Sequence, residues 1–116
     1  METKSNNRQI DYIEFPTKNV AAAKAFYTQV FGWKFEDYGP DYTSFKDGRL
    51  AGGFTSEGNV SRGPLVVIYA LDLEAFERQV TAAGGVIVRP TFAFPGGRRC
   101  HFTDPGGNEL AVWSDH

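Results

Sequence analysis

The same order of elements is written twice along this chain, and that repetition constrains the fold more than any single motif. In the first half, Gln9 to Phe15 alternates Ile10, Tyr12 and Glu14 against Asp11, Ile13 and Phe15, the period of two that belongs to a strand. Asn19 then stands as an N-cap, and Val20, Ala23, Phe26, Tyr27 and Val30 recur at helical spacing until Gly32 stops the run. Trp33 to Tyr38, Tyr42 to Lys46 and Leu50 to Thr55 read as short strands, the last two joined across Asp47-Gly48, a favoured hairpin dipeptide. The second half repeats the order: a strand at Leu65 to Ala70, then a helix capped by Asp72 with Leu73, Phe76 and Val80 inward and Gly84-Gly85 at its end. Strands at Val86 to Arg89, Arg98 to Thr103 and Glu109 to Trp113 follow. Neither βαβββ unit alone covers both faces of its sheet, so the expectation is one α+β domain made of two such modules. The domain is expected over residues 9–116, with modules of about 9–56 and 64–114. Residues 1–8 read as a disordered N-terminal tail and Ser56 to Gly63 as a polar link.

Composition removes several partner classes. A chain of 116 residues has room for one compact core, and a formal charge of −2 with acids and bases intermixed offers no basic stripe for nucleic acid and no polybasic run for a membrane. No apolar run is long enough to span a bilayer. One cysteine, Cys100, makes no internal disulfide, and the polar start lacks the apolar stretch of a secretory signal, which points to the cytoplasm. The expected partners are a small molecule and a second copy of the chain. There is no nucleophile elbow, CxxC or HExxH motif, and the glycine pairs do not form a phosphate-cradling loop.

Four stretches taken together carry a resemblance. They are Ile10 to Phe15 leading into Ala25-Phe-Tyr27, then Phe31-Gly-Trp33, then Asp47-Gly-Arg-Leu-Ala-Gly-Gly53, and finally Phe102-Thr-Asp-Pro-Gly-Gly-Asn-Glu-Leu110. In this order and at this length they resemble the vicinal oxygen chelate superfamily of glyoxalase I, bleomycin-resistance and extradiol-dioxygenase proteins, from about Gln9 onward. The resemblance implies paired βαβββ modules whose curved mixed sheets form a cup, and a homodimer.

Metal-using members of that superfamily draw ligands from the first and last strands of each module. Carried over here, those positions fall on Tyr12, on the stretch Leu50 to Phe54, on Leu65 and on Ala111. Leucine, alanine and glycine supply no donor, and a tyrosine with an ordinary pKa near ~10 ligates only as phenolate. The expectation is therefore no metal and no other cofactor, which removes the Lewis-acid step on which glyoxalase I and dioxygenase chemistry depend.

What remains on the expected cup face is aromatic and charged. Alternation puts Tyr12 and Glu14 there, with Leu65, Val67 and Tyr69, and with Glu109, Ala111 and Trp113. The five-residue turn Asp104 to Asn108 sets His101 beside Ala111 and Arg99 beside Trp113, leaving Cys100 and Phe102 to face the helix. The ligand-contacting candidates are Tyr12, Glu14, Tyr69, Arg99, His101, Glu109 and Trp113, and His101 and Glu109 are the candidates for acid or base work. The competing reading has the aromatic rings filling the cup as core while the charges reach its rim. Asp104 and Asn108 read as turn formers and Cys100 as buried and inert. Three functions stay open: a metal-independent binder of a small organic molecule, a lyase, isomerase or dioxygenase-like enzyme using His101 or Glu109 or a rearranged metal site, and a non-catalytic dimerisation module.

Overall fold

The computed structural model describes residues 7–116, so residues 1–6 of the expected tail lie outside it. The other two residues of that tail are held in place: Asn7 accepts from the Leu71 N–H at 2.8 Å, and the Arg8 N–H donates to the Tyr69 carbonyl at 2.7 Å. The elements run β1 (Ile10–Pro16), α1 (Val20–Phe31), β2 (Lys34–Asp37), β3 (Tyr42–Lys46), β4 (Ala51–Thr55), β5 (Leu65–Tyr69), α2 (Leu73–Ala82), β6 (Val86–Phe94), β7 (Gly97–Thr103) and β8 (Glu109–Ser114). A 3-10 turn at Val60–Arg62 sits in the link between the halves. The fold is α+β, built as the duplicated βαβββ pattern predicts.

The chain packs as two compact units, one of residues 12–65 and one of residues 7–11 with 66–116. Within the first, the strands lie in the order β2-β3-β4-β1; within the second, in the order β6-β7-β8-β5. The duplication is visible in the ladders. β1 pairs in parallel with β4, with Tyr12 opposite Ala51 and Glu14 opposite Gly53, and β5 pairs in parallel with β8, with Val67 opposite Ala111 and Tyr69 opposite Trp113. The remaining pairs in each unit are antiparallel.

Both helices begin where a side chain satisfies an orphan amide. The Asn19 side chain accepts from Ala22 N–H at 2.9 Å, and Asp72 accepts from Ala75 N–H at 3.0 Å. Gly32 ends α1 with φ +72, a left-handed turn that costs a residue without a Cβ little. The two inner faces differ in chemistry. In the first unit a ring cluster joins Phe15, Tyr27, Trp33, Phe45 and Phe54, with Trp33 stacked between Phe45 at 4.6 Å and Tyr27 at 4.8 Å. In the second, Ala70, Leu73, Cys100, Phe102 and Val112 form the core, with Phe76 and Val80 of α2 against them. Burial raises the Cys100 thiol to about 12, with the nearby Glu77 adding to the effect, so it stays a protonated, packed group.

Two expectations need correction. The strand expected to end at Arg89 runs on through Pro90 to Phe94. Pro90 is tolerated because β6 has only β7 as a neighbour and its ladder shifts register between Ile87 and Arg89 and again between Arg89 and Phe92. The apolar stripe of α1 is also only partly inward. Val20 is buried, whereas Phe26, Val30 and Phe31 are each more than half exposed.

Candidate functional site

In the second unit the side of the sheet away from α2 carries a continuous group of aromatic and ionisable residues. The antiparallel register sets His101 opposite Ala111 and Arg99 opposite Trp113, as the five-residue turn predicts. That turn is held by Asp104, which accepts from Asn108 N–H at 2.9 Å and from its side-chain amide at 3.1 Å. Phe92 and Phe94 join from the part of β6 beyond Pro90. Phe92 lies 6.1 Å from the His101 ring and Phe94 lies 6.2 Å from Trp113. The Arg89 and Arg99 guanidinium groups stand 4.0 Å and 5.7 Å from the centre of the Phe92 ring.

His101 is the chemically distinctive member. Its Nδ1 is 3.0 Å from Glu109 Oε2, and its side chain is only 8% exposed. Desolvation pulls its pKa below the usual value and Arg99 and Arg89 pull the same way, while the Glu109 contact opposes them. The ring is therefore neutral at pH 7, with one N–H. A carboxylate only accepts, so that proton sits on Nδ1 and Nε2 carries the lone pair. Nε2 is buried and has no hydrogen-bond partner among the described residues.

Trp113 is half-buried and fixed by a contact that alternation alone does not propose: its indole N–H donates to Asp11 Oδ2 at 2.9 Å. Asp11 belongs to the same compact unit although β1 mostly packs with the other. Tyr69 meets Trp113 edge-on at 5.1 Å, has no exposed surface, and bonds through its hydroxyl to Asp115. Tyr69 thus stands as the support of Trp113 and not as a surface a ligand meets in this structure. Arg98, next to Arg99, turns away and pairs with Glu74 of α2 at 2.5 Å, which leaves Arg99 as the arginine of that pair on the aromatic side.

Tyr12 and Glu14 belong to the first unit, where they are organised by a residue the strand pattern did not single out. The Tyr42 hydroxyl contacts the Tyr12 hydroxyl and donates to Glu14 Oε2 at 3.2 Å. Burial, with Tyr12 and Glu14 beside it, pushes the Tyr42 pKa far above its ordinary value, so it remains a phenol. Beneath the hydroxyl pair is Gly53, where a Cβ would fall onto the Tyr42 and Tyr12 hydroxyls. That glycine is the signal that locates Tyr42. A side chain there is incompatible with the tyrosine pair.

The residues at the positions where the resemblance implies metal ligands do not fit a metal ion. Tyr12 is committed to Tyr42, the β4 positions opposite β1 are Ala51, Gly52 and Gly53, and Val67 faces Ala111 across the β5–β8 pair. Among the described residues no cluster of three or more His, Cys, Asp or Glu side chains is arranged to hold a metal ion. Two surface hollows of about 480 and 630 Å³ lie elsewhere, one along α1 with Asp37 and Pro40 and one beside the Val60–Arg62 turn, and neither contains a candidate site residue.

Paired βαβββ modules of this kind define a known class of protein. The profile of the Glyoxalase/Bleomycin resistance protein/Dioxygenase superfamily matches residues 9–112, and the chain belongs to that family. It is similar to the anthracycline biosynthesis proteins DauV of Streptomyces sp. (strain C5) and DnrV of Streptomyces peucetius. Each is 33% identical over 124 residues, which cover 88% of this chain and 45% of the relative, so the chain spans less than half the length of either. Among solved structures it resembles the Mn(II)-bound glyoxalase of Novosphingobium aromaticivorans with a TM-score of 0.69, at 22% identity, over 95% of this chain and 40% of that one. That likeness speaks to the fold alone. No helix among the described residues is long and apolar enough to cross a membrane.

Proposed function

We propose that this protein binds a flat, small organic molecule on the aromatic face of its second unit without using a metal, as a homodimer in the cytoplasm. The observation that carries the reading is the row of rings on this face, Phe92 beside His101 and Phe94 beside Trp113, together with the His101–Glu109 hydrogen bond and with Arg89 and Arg99 against Phe92. Stacked rings hold a planar ligand mainly through buried apolar area, and a few polar groups orient it. The relatives named for anthracycline biosynthesis support a polycyclic aromatic ligand. The exposed Phe26, Val30 and Phe31 on α1 support pairing of two copies.

The test is calorimetric titration of metal-stripped protein with 2-methoxynaphthalene as a flat probe. Trp113→Ala should weaken binding by about 2 kcal/mol, because it removes the largest ring of the face. An unchanged affinity, or binding that appears only when a divalent metal is added back, contradicts the proposal. The rival reading is an acid-base enzyme, and the unpartnered Nε2 of His101 with Glu109 behind it is what favours it. In that case His101→Ala lowers turnover of the substrate by roughly a hundredfold with binding nearly intact.

A further inference from the structure

We infer that Nε2 of His101 is the recognition point for a hydroxyl carried on an aromatic ring, which makes the preferred ligand a phenol and not a plain aromatic hydrocarbon or ether. The inference rests on the aromatic-face reading above and narrows its ligand class.

The argument starts from hydrogen-bond bookkeeping. The proton of the neutral ring is committed to Glu109, so Nε2 accepts and does not donate. It is buried with no partner among the described residues, and a buried acceptor is disfavoured until a donor reaches it. The surroundings then select the donor. Phe92 beside His101, and Phe94 beside Trp113, supply flat apolar contacts, so the donor that fits rides on a flat ring. Arg89 and Arg99 gather positive charge beside Phe92, close enough to His101 to lower its proton affinity. A phenolic oxygen suits both conditions, since it gives its proton to Nε2 while its lone pairs stay in the positive field. A ring N–H has no such lone pair to offer. The neighbouring ring, Phe92, lies on the edge strand β6 opposite Arg99, directly after the strand's second register shift.

The groups facing His101 can be named from each strand around it. They are Glu109 on β8, Arg99 on β7 and Arg89 on β6, while β5 presents Val67 opposite Ala111. Protonation of Nε2 turns the acceptor into a donor. The preference for a phenol is therefore full at neutral pH and fades as the pH falls well below the ordinary histidine value of 6.5.

The experiment compares 2-naphthol with 2-methoxynaphthalene by calorimetry at neutral pH, on the wild type and on His101→Phe, which keeps a flat ring without an acceptor. The wild type should bind 2-naphthol about tenfold more tightly, the worth of one buried hydrogen bond, and His101→Phe should erase that preference. Should His101→Phe fail to fold, the acid titration of the two probes on the wild type reads the same acceptor, and a preference that does not fade in acid overturns the inference. Equal wild-type affinities, or a preference that survives in folded His101→Phe, overturn it as well but leave the aromatic face standing as a binding site. Binding of neither probe overturns the aromatic-face reading and this inference with it.

Discussion

The two units share one topology and use it in opposite ways. In the first, the aromatic residues are spent on the side packed against α1, where Phe15, Tyr27, Trp33, Phe45 and Phe54 interlock, and the other side is closed by the Tyr12–Tyr42–Glu14 contacts lying over Gly53. In the second, the packed side is Leu73, Val112, Cys100 and Phe102, and aromatic rings stand with ionisable groups on the side away from α2. The difference teaches that a duplicated sheet can divide its work. One copy spends its large side chains on cohesion, and the other keeps an aromatic face on which His101 has no partner for Nε2 among the described residues.

The comparison can be broken by substitutions in either unit. Leu73→Ala should cost about 4 kcal/mol of stability, since the side chain is fully buried in the core of Ala70, Cys100, Phe102 and Val112 and its loss leaves a cavity there. Urea unfolding that shows a loss under ~1 kcal/mol would mean that the second unit is not held by this core. Gly52→Ala should cost about 3 kcal/mol, because the added Cβ runs into the Ile13 carbonyl and the Phe45 ring of the first unit's packed side. Tolerance of alanine there would show that the ring cluster yields more readily than its stacking implies.

Smaller effects sharpen the contrast. Tyr42→Phe removes the hydroxyl between Tyr12 and Glu14 and should cost about 1 kcal/mol, with no change in the affinity of 2-methoxynaphthalene. A clear change in affinity would assign the tyrosine pair to the ligand. The smallest effect is with pH. His101 has a folded pKa below its unfolded value of 6.5, so the unfolded chain binds more protons in the interval between them. The stability it contributes is present above pH 6.5 and is lost as the pH falls through the folded value. His101→Gln should flatten that part of the stability–pH curve, which denaturation at a series of pH values measures.

Much of this was legible in the strand and helix periods. Both helices and the placement of His101 beside Ala111 follow from alternation, capping residues and the length of one turn. Four site residues were hidden for identifiable reasons. Phe92 and Phe94 sit beyond Pro90, and proline argues against a strand unless the strand lies at an edge, which only the tertiary pairing reveals. Tyr42 stands on a strand whose inward face is decided by Gly53 on its neighbour. Asp11 accepts the Trp113 indole proton across a separation of 102 residues, and no local pattern carries a contact of that range.

The central claim is that the second unit's aromatic face takes the ligand and the first unit's tyrosine pair does not. Two-dimensional NMR of metal-stripped protein titrated with 2-naphthol tests this directly. The account predicts that shift changes centre on Phe92, Phe94, Arg99, His101 and the Trp113 indole N–H, with Tyr42 and Gly53 unmoved. Changes centred on Tyr12, Tyr42 and Gly53, or none at saturating probe, would contradict it.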